Sequence, residues 1–593
     1  MLPIIYAIFP LLVAAMAALA LSGSIKFSPY VKHISLAASL ITLFIISMNI
    51  AAPHAYSTFT WFSAAGFQFQ IATATYPLNL MLLMLIGIIT PLIFYYSYGF
   101  MQVPSEQGRF YLLMNIFAAS MLLFAMSYSF VTLFIAWELL GITSYLLIGF
   151  WYKREKPGPA ARKAISTIII GDVLMLSAII IIFIKYGSLL FSSILAQGAS
   201  PLLSLSLLLI AIAAFTKSAQ FPFNEWLADA MEGPTPVSAF LHSSTMVKAG
   251  VFLVAVLLPL YLEAHLLYIF IIFGMITALL GSLNALSEHH IKRILAYSTT
   301  EDMGLMFVAL GFGSVPAAMM LFVVQAFYKA LLFMSAGSIM TANKTEQLHQ
   351  SYNLQRNKTL LVATSIGVAS IAGVFPFSGF FGKVLVEQAV SSIYVYVALV
   401  AIEFISVLYI LRWLFVPMHK AAQDLGAEVN LGYKTLPKSM LASGAITAAL
   451  VIAAGAAFYY LPGFLGYKFV SVGIYGALAE SAIIAIAFFV SYYAFYAERL
   501  PKMFYSSSAS HAIYTSTYVN RFYSAFAALF LAIGSALYYA EGFIYSIFHS
   551  GGESFLLFGK LLKRLENGNV SLYMLAFALG MMAIAFIFYT ISL

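Results

Sequence analysis

The chain contains no cysteine. That absence excludes a thiolate-ligated iron–sulfur cluster, a disulfide framework and a cysteine-based zinc site. Charge is also scarce: 8% of the 593 residues are Asp, Glu, Lys or Arg, against roughly 25% in a soluble domain. Apolar residues make up 63%, and the mean hydropathy is +0.96. A chain so composed is an integral membrane protein whose solvent is mostly lipid. No glycine-rich dinucleotide fingerprint follows a strand, so nucleotide, flavin and cluster chemistry are not expected in this chain, nor is a metal site. The net charge of +8 does not point to nucleic acid, because the basic residues gather in loops. Residues 4–20 run on with no small-residue cleavage pattern, so no signal peptide separable from the first span is expected.

An apolar stretch of about 20 residues crosses the hydrocarbon core as a helix. About sixteen such stretches are read, near 3–22, 33–52, 78–100, 110–126, 129–150, 163–184, 202–221, 236–260, 265–285, 291–313, 315–340, 358–382, 391–417, 438–462, 472–496 and 571–592. Loops after odd-numbered spans hold basic residues such as Lys26, Lys32, Arg109, Lys153, Arg154, Lys292, Arg293, Lys344, Arg356, Lys434 and Lys502. Loops after even-numbered spans hold Lys185 and Lys468. The asymmetry puts the N-terminus outside and the odd loops in the cytoplasm. Residues 522–540 compete as a further span, but that would move Lys560, Lys563 and Arg564 outside. A lateral helix along the cytoplasmic interface is preferred over 516–570.

Two spans are expected to be interrupted. KSAQFPFNEWL from Lys217 carries Pro222, and GVFPFSGFFGK, ending at Lys383, carries Pro376. Proline removes a backbone donor, which is tolerated at membrane depth where protein or a cavity surrounds it. These breaks fall in oppositely directed spans, 7 and 12, a pattern of inverted repeats that flank a midplane ion site. The expected fold is thus all-α and polytopic. Its divisions are 1–109 (spans 1–3), 110–260 (first inverted repeat), 261–417 (second), 418–515 (spans 14 and 15), 516–570 (lateral helix) and 571–593 (final span).

The charges inside the spans are the informative ones: Lys217, Lys248, Lys329, Lys383 and Arg412, with Glu138, Asp172, Glu301, Asp302, Glu403 and Glu480. One mid-helix charge costs roughly 2.5–3.5 kcal/mol on insertion scales. Lys248 and Lys329 lie near span centres, too far from either end for easy snorkelling. For Lys217 and Lys383 snorkelling competes with a role in transport. Asp172 reads equally as a structural partner of a nearby base. Glu301 and Asp302 lie about two turns into span 10, within reach of water. Glu403, Arg412 and Glu480 are read as pairing or snorkelling groups outside the mechanism. His242 shares a predicted helix with Lys248, which makes a relay role compete with that of a hydrogen-bonded core histidine. A buried lysine gives up its proton readily, and a movable carboxylate opposes that. A row of such groups carries protons across, whereas lysine is a poor sodium ligand.

The runs WELLGITSYLLIGFWYK (137–153), FTKSAQFPFNEWLADAMEGPTPVSAFLHSSTMVKAGVFL (215–253), IKRILAYST (291–299) and AFYKALLF (326–333) closely resemble the antiporter-like membrane subunits of respiratory complex I. That family is related to subunits of Mrp-type sodium/proton antiporters and membrane-bound hydrogenases. GKLLKRLENGNVSLYMLAFALG (559–580) is similar to the basic, glycine-containing turn before the last span in the L-type branch. The resemblance implies two inverted five-helix repeats, a half-channel in each, and a traverse helix that clamps neighbouring subunits. It matches Glu138 to the family's glutamate, Lys217 to its partner lysine, Lys329 to the central lysine and Lys383 to the terminal one. His242 and Asp172 match further members of the hydrophilic axis. Lys248 stands where L-type chains often have threonine, Gln325 where they commonly have histidine, and Glu301–Asp302 is closer to hydrogenase relatives. The expected function is proton translocation in a plasma-membrane complex I-type oxidoreductase, a non-redox role. Flavin, iron–sulfur clusters and quinone are expected in partner subunits, and none of them in this chain. The alternatives are a subunit of an Mrp-type antiporter or of a membrane-bound hydrogenase.

Overall fold

The computed structural model describes residues 3–22, 28–50, 55–64, 67–196, 200–418, 435–468 and 474–496, and isolated positions between 528 and 582. Met1–Ser516 forms one compact unit and Thr517–Leu593 a second. In the second, the described positions are helical. The expected lateral helix and final span lie outside the described residues apart from those positions.

The first unit opens with α1 (Phe9–Ser22) and α2 (Val31–Asn49), then a hairpin of β1 (Tyr56–Ala64) and β2 (Phe67–Ala74). The hairpin corrects the all-α expectation. Its strands carry the aromatic and β-branched residues that favour a pleated surface, and they pair antiparallel from Tyr56 with Ala74 to Ala64 with Phe67. Next come α3 (Pro77–Phe100), α4 (Pro104–Ala125), α5 (Phe130–Ile148) and α6 (Pro157–Tyr186), each a full crossing length. Proline at the first helical turn starts α3, α4 and α6, where no backbone donor is lost.

The interrupted spans follow. After the short α7 (Phe191–Leu195), α8 (Pro201–Lys217) stops at its lysine, and the chain resumes as α9 (Glu225–Asp229) beyond a cis Phe221–Pro222 bond. Then α10 (Thr235–Ser243) and α11 (Ala249–Glu263) replace the single helix expected over 236–260. The separation comes at Thr245, whose φ of −124° and ψ of −111° leave the helical region. His242 and Lys248 therefore stand on separate helical pieces, not on one helix as expected.

The remaining helices are α12 (Leu267–Ser287), α13 (Ile291–Gly311), α14 (Val315–Asn343), α15 (Lys358–Ile371), α16 (Ser378–Ala389), α17 (Ile393–Met418), α18 (Lys438–Ala453), α19 (Ala457–Phe464) and α20 (Ile474–Ser491). The second expected break separates α15 from α16, around a cis Phe375–Pro376 bond. Among the described residues, 11 helices are long and apolar enough to span a membrane. α13 has the length but carries Lys292, Arg293, Glu301 and Asp302, so composition alone passes over it. Packing places it inside: it and α14 are buried along nearly their whole lengths.

Loop contacts define two faces. The hairpin meets the loops at Ser127 and Ser129, and Ser129 in turn bridges to Leu190. On the opposite face, His290 bridges to Gln347, and Lys163 and Arg293 pair with Asp229. The His290 ring hydrogen-bonded to Glu346 holds that carboxyl down at about 2. Lys292, read as a loop residue, is buried and ties the carbonyls of Met231 and Gly233 to α13. Arg412 donates to the carbonyls of Ala285 and Glu288 at the end of α12, which satisfies groups every helix terminus leaves open.

Candidate functional site

Lys217 is the last residue of α8, and its side chain is fully buried. The helix stops there, so the ammonium can turn across to α5. It donates to the Trp137 carbonyl at 2.6 Å, lies 4.1 Å from the Trp137 ring centroid and 3.9 Å from Asp172 Oδ1. The indole of Trp137 donates to the same Asp172 oxygen at 2.7 Å. Gly171 permits this approach of α6 to α8: a Cβ there would fall 2.0 Å from Thr216 Oγ1. Glu138, the neighbour of Trp137, is half-buried at the edge of the packed body. Among the described residues, the carboxylate within ion-pair distance of Lys217 is Asp172, not Glu138.

Lys248 is also fully buried and has a different environment. Its ammonium donates to the Phe322 carbonyl and lies 4.5 Å from the Phe322 ring centroid. No described carboxylate comes within ion-pair distance of it. His242 packs its ring 5.4 Å from that of Phe333, and neither ring nitrogen has a protein partner. Gln325, one turn before Lys329, is fully buried with both amide atoms unpartnered. The hydroxyls of Ser243 and Ser244, at the interruption between α10 and α11, are in the same condition. Buried polar atoms are hydrogen-bonded in native proteins, so atoms like these are where internal water binds.

Lys329 answers the charge problem with a second pair. Its ammonium lies 3.1 Å from Asp302 Oδ2 and donates to Ser298 Oγ at 2.5 Å. The Tyr409 hydroxyl, from α17, is 2.6 Å from Ser298 Oγ and 2.8 Å from Glu301 Oε2. A carboxylate only accepts, so Tyr409 gives its one proton to Glu301 and accepts from Ser298. The order Lys329, Ser298, Tyr409, Glu301 is therefore a continuous chain of hydrogen bonds. Glu301 and Asp302 face this network rather than water.

Lys383, on α16, is buried beyond the second break. Glu387 on the same helix, Glu403 on α17 and Glu480 on α20 are all buried around it. Glu403 and Glu480, read from the sequence as bystanders, thus gather at the terminal lysine. Sequence reasoning missed Glu387, although its i,i+4 spacing from Lys383 puts both on one helix face. It also missed Ser298 and Tyr409, for which no local signal exists, since they meet Lys329 only through packing. Pro222 and Pro376 both stand in the interruptions, each after a cis peptide bond.

Residues 127–408 match the family model described as NADH:quinone oxidoreductase/Mrp antiporter, TM. The NADH-quinone oxidoreductase subunit L of Campylobacter jejuni is 38% identical over 56% of this chain and 56% of its own length. That of Mycobacterium tuberculosis is 37% identical over 56% of this chain and 54% of its own. The matched region spans about half the length of these curated relatives. Among solved structures, the Mrp complex from Dietzia sp. is similar with a TM-score of 0.69 at 23% identity, covering 97% of this chain and 63% of that one. The membrane-bound sulfane sulfur reductase, an archaeal respiratory membrane complex, gives 0.68 at 18%, covering 81% of this chain and 98% of that one. At these identities the two structures speak for the fold.

Proposed function

We propose, from the match of residues 127–408 to the family model described as NADH:quinone oxidoreductase/Mrp antiporter, TM, that this chain is an antiporter-like subunit L of a complex I-type respiratory oxidoreductase, translocating protons. The observation that carries the reading is the pair of buried lysine–aspartate contacts, Lys217 with Asp172 and Lys329 with Asp302, one on each side of the unpaired Lys248. Each ammonium is held by a counter-charge whose movement loads or unloads its proton. Lys248, His242 and Gln325 link the two through water. Glu138, at the edge of the body, hands charge to a neighbouring subunit, and Lys383 ends the axis.

The breaks after Lys217 and before Lys383 are the equivalent points of two inverted repeats, 110–260 and 261–417. Loops rich in lysine and arginine lie in the cytoplasm, and the chain crosses the plasma membrane about sixteen times. Flavin, clusters and quinone belong to partner subunits, whose electron transfer drives the axis. Moving one proton against 100 mV takes about 2.3 kcal/mol, the equivalent of a shift of less than two pKa units, so one switched ion pair suffices as a gate. A second reading, an Mrp-type or hydrogenase-type complex, draws on the likeness to the Mrp and sulfane reductase structures.

The test is Lys329→Ala in the assembled complex reconstituted into liposomes. Proton translocation is expected to be lost or strongly reduced while assembly persists. Unchanged pumping would remove Lys329 from the mechanism. Sodium-coupled transport without electron transfer would select the second reading.

A further inference from the structure

Beyond Lys383 the structure gathers more acid than a single ammonium can balance. Glu387, Glu403 and Glu480 are 5%, 5% and 2% exposed. Glu387 stands one turn beyond Lys383 on α16, and its Oε1 lacks a protein partner. Both oxygens of Glu480 lack a protein donor. Its Oε1 rests against Gly373 in the second helix break, where a Cβ would come within 2.8 Å. Gly373 has a φ of +73°, and its built Cβ also lies 3.5 Å from Lys383 Cδ. The glycine is thus both a turn and the floor of a cradle shared by the lysine stem and the unpartnered carboxyl.

We propose that Glu387, Glu403 and Glu480 form the terminal proton-exchange site of this chain, taking a proton from Lys383 and releasing it to water on the hairpin face. This rests on the proton-translocating reading above. The other ionisable groups directed at the cluster are Lys383 on α16, Tyr396 on α17, and Glu301 and Asp302 on α13. Three carboxylates and one ammonium, all ionised, would leave two uncompensated negative charges in a low-dielectric site, so the cluster retains protons and exchanges them singly. In each transfer the proton leaves Lys383 Nζ, which becomes an amine, and enters a carboxylate. A proton already on the cluster then passes to water. Glu387 lies near the end of α16, and Gln388 beside it is exposed, which supplies the short way out.

The experiment compares Glu387→Gln, Glu403→Gln and Glu480→Gln, each with its Asp counterpart, in the assembled complex in liposomes. Lys329→Ala serves as the reference for the parent reading. Each Gln variant is expected to assemble, to transfer electrons, and to pump about tenfold more slowly. Each is also expected to weaken the infrared carbonyl band of protonated carboxyl groups, and the Asp variants to restore part of both signals. If Lys329→Ala stops pumping while all three Gln variants pump normally and keep the band, the terminal site is overturned and the parent reading stands. If Lys329→Ala itself pumps normally, both fall. A carboxyl band in the parent complex that vanishes on adding sodium at fixed pH would overturn the proton assignment in favour of a cation site.

Discussion

Three lysines that look alike in the sequence are held in two different ways. Lys217 and Lys329 each meet an aspartate, at 3.9 Å and 3.1 Å, whereas Lys248 has a backbone carbonyl and a ring face. A buried ion pair gains little net stability, because desolvating the partners offsets their attraction. Retaining such pairs therefore makes most sense where the charge itself is used. Asp172→Asn tests this at the residue scale. The side chain keeps its shape, and the Trp137 indole can still donate to an amide oxygen. What is lost is the counter-charge: the pocket then holds either an unbalanced ammonium or an amine that cannot be recharged. Proton translocation should fall by about tenfold or more, while the complex still assembles and transfers electrons. Parental pumping in this variant, measured by dye quenching in liposomes, would reduce Asp172 to a packing residue.

The network around Lys329 depends on how tightly α12 and α13 cross. Small residues make that crossing: a Cβ on Gly304 would lie 2.5 Å from the Gly274 carbonyl oxygen, and one on Gly281 would lie 2.7 Å from the Glu301 nitrogen. The obstacles are backbone atoms, which have no rotamer to yield. Gly304→Leu must push the helices apart and shift Ser298, Glu301 and Asp302 away from Tyr409 and Lys329. Overpacking of this kind costs typically 1–3 kcal/mol, visible as a lower melting temperature of the complex, and pumping should fail with it. A variant as stable and active as the parent would mean that the crossing is looser than described. This dependence also explains what could be read from the chain beforehand. Lengths of apolar runs located the crossings, and proline in FPF located the breaks after Lys217 and Ile371. Buried lysines stood out because lipid makes them costly. The interruption before Lys248 has no proline or glycine to announce it, only Ser243, Ser244 and Thr245. The gathering of Glu387, Glu403 and Glu480 brings together three helices, and no periodicity in one segment encodes which neighbours it meets.

At the scale of the molecule, the two faces follow from the alternation of crossings. The hairpin, Ser127 and Leu190 share one face; Asp229, Arg293, His290 and Gln347 share the other. The basic loops sit on the second, which the orientation proposed above puts in the cytoplasm. Directionality of transport depends on this assignment, because a terminal site opening on the hairpin face releases protons outward only if that face is outside. The chain's lack of cysteine makes the assignment directly measurable, since a single introduced thiol has no background. Gln68, in the hairpin, and Lys153, in the loop after α5, are both exposed. A membrane-impermeant maleimide applied to right-side-out vesicles should label Gln68→Cys and spare Lys153→Cys, and inverted vesicles should reverse the result. Labelling of both from one side would mean an odd crossing is missing between residues 68 and 153. Reversal of the whole pattern would keep the fold and turn the pump around, with protons leaving the terminal carboxyl cluster into the cytoplasm.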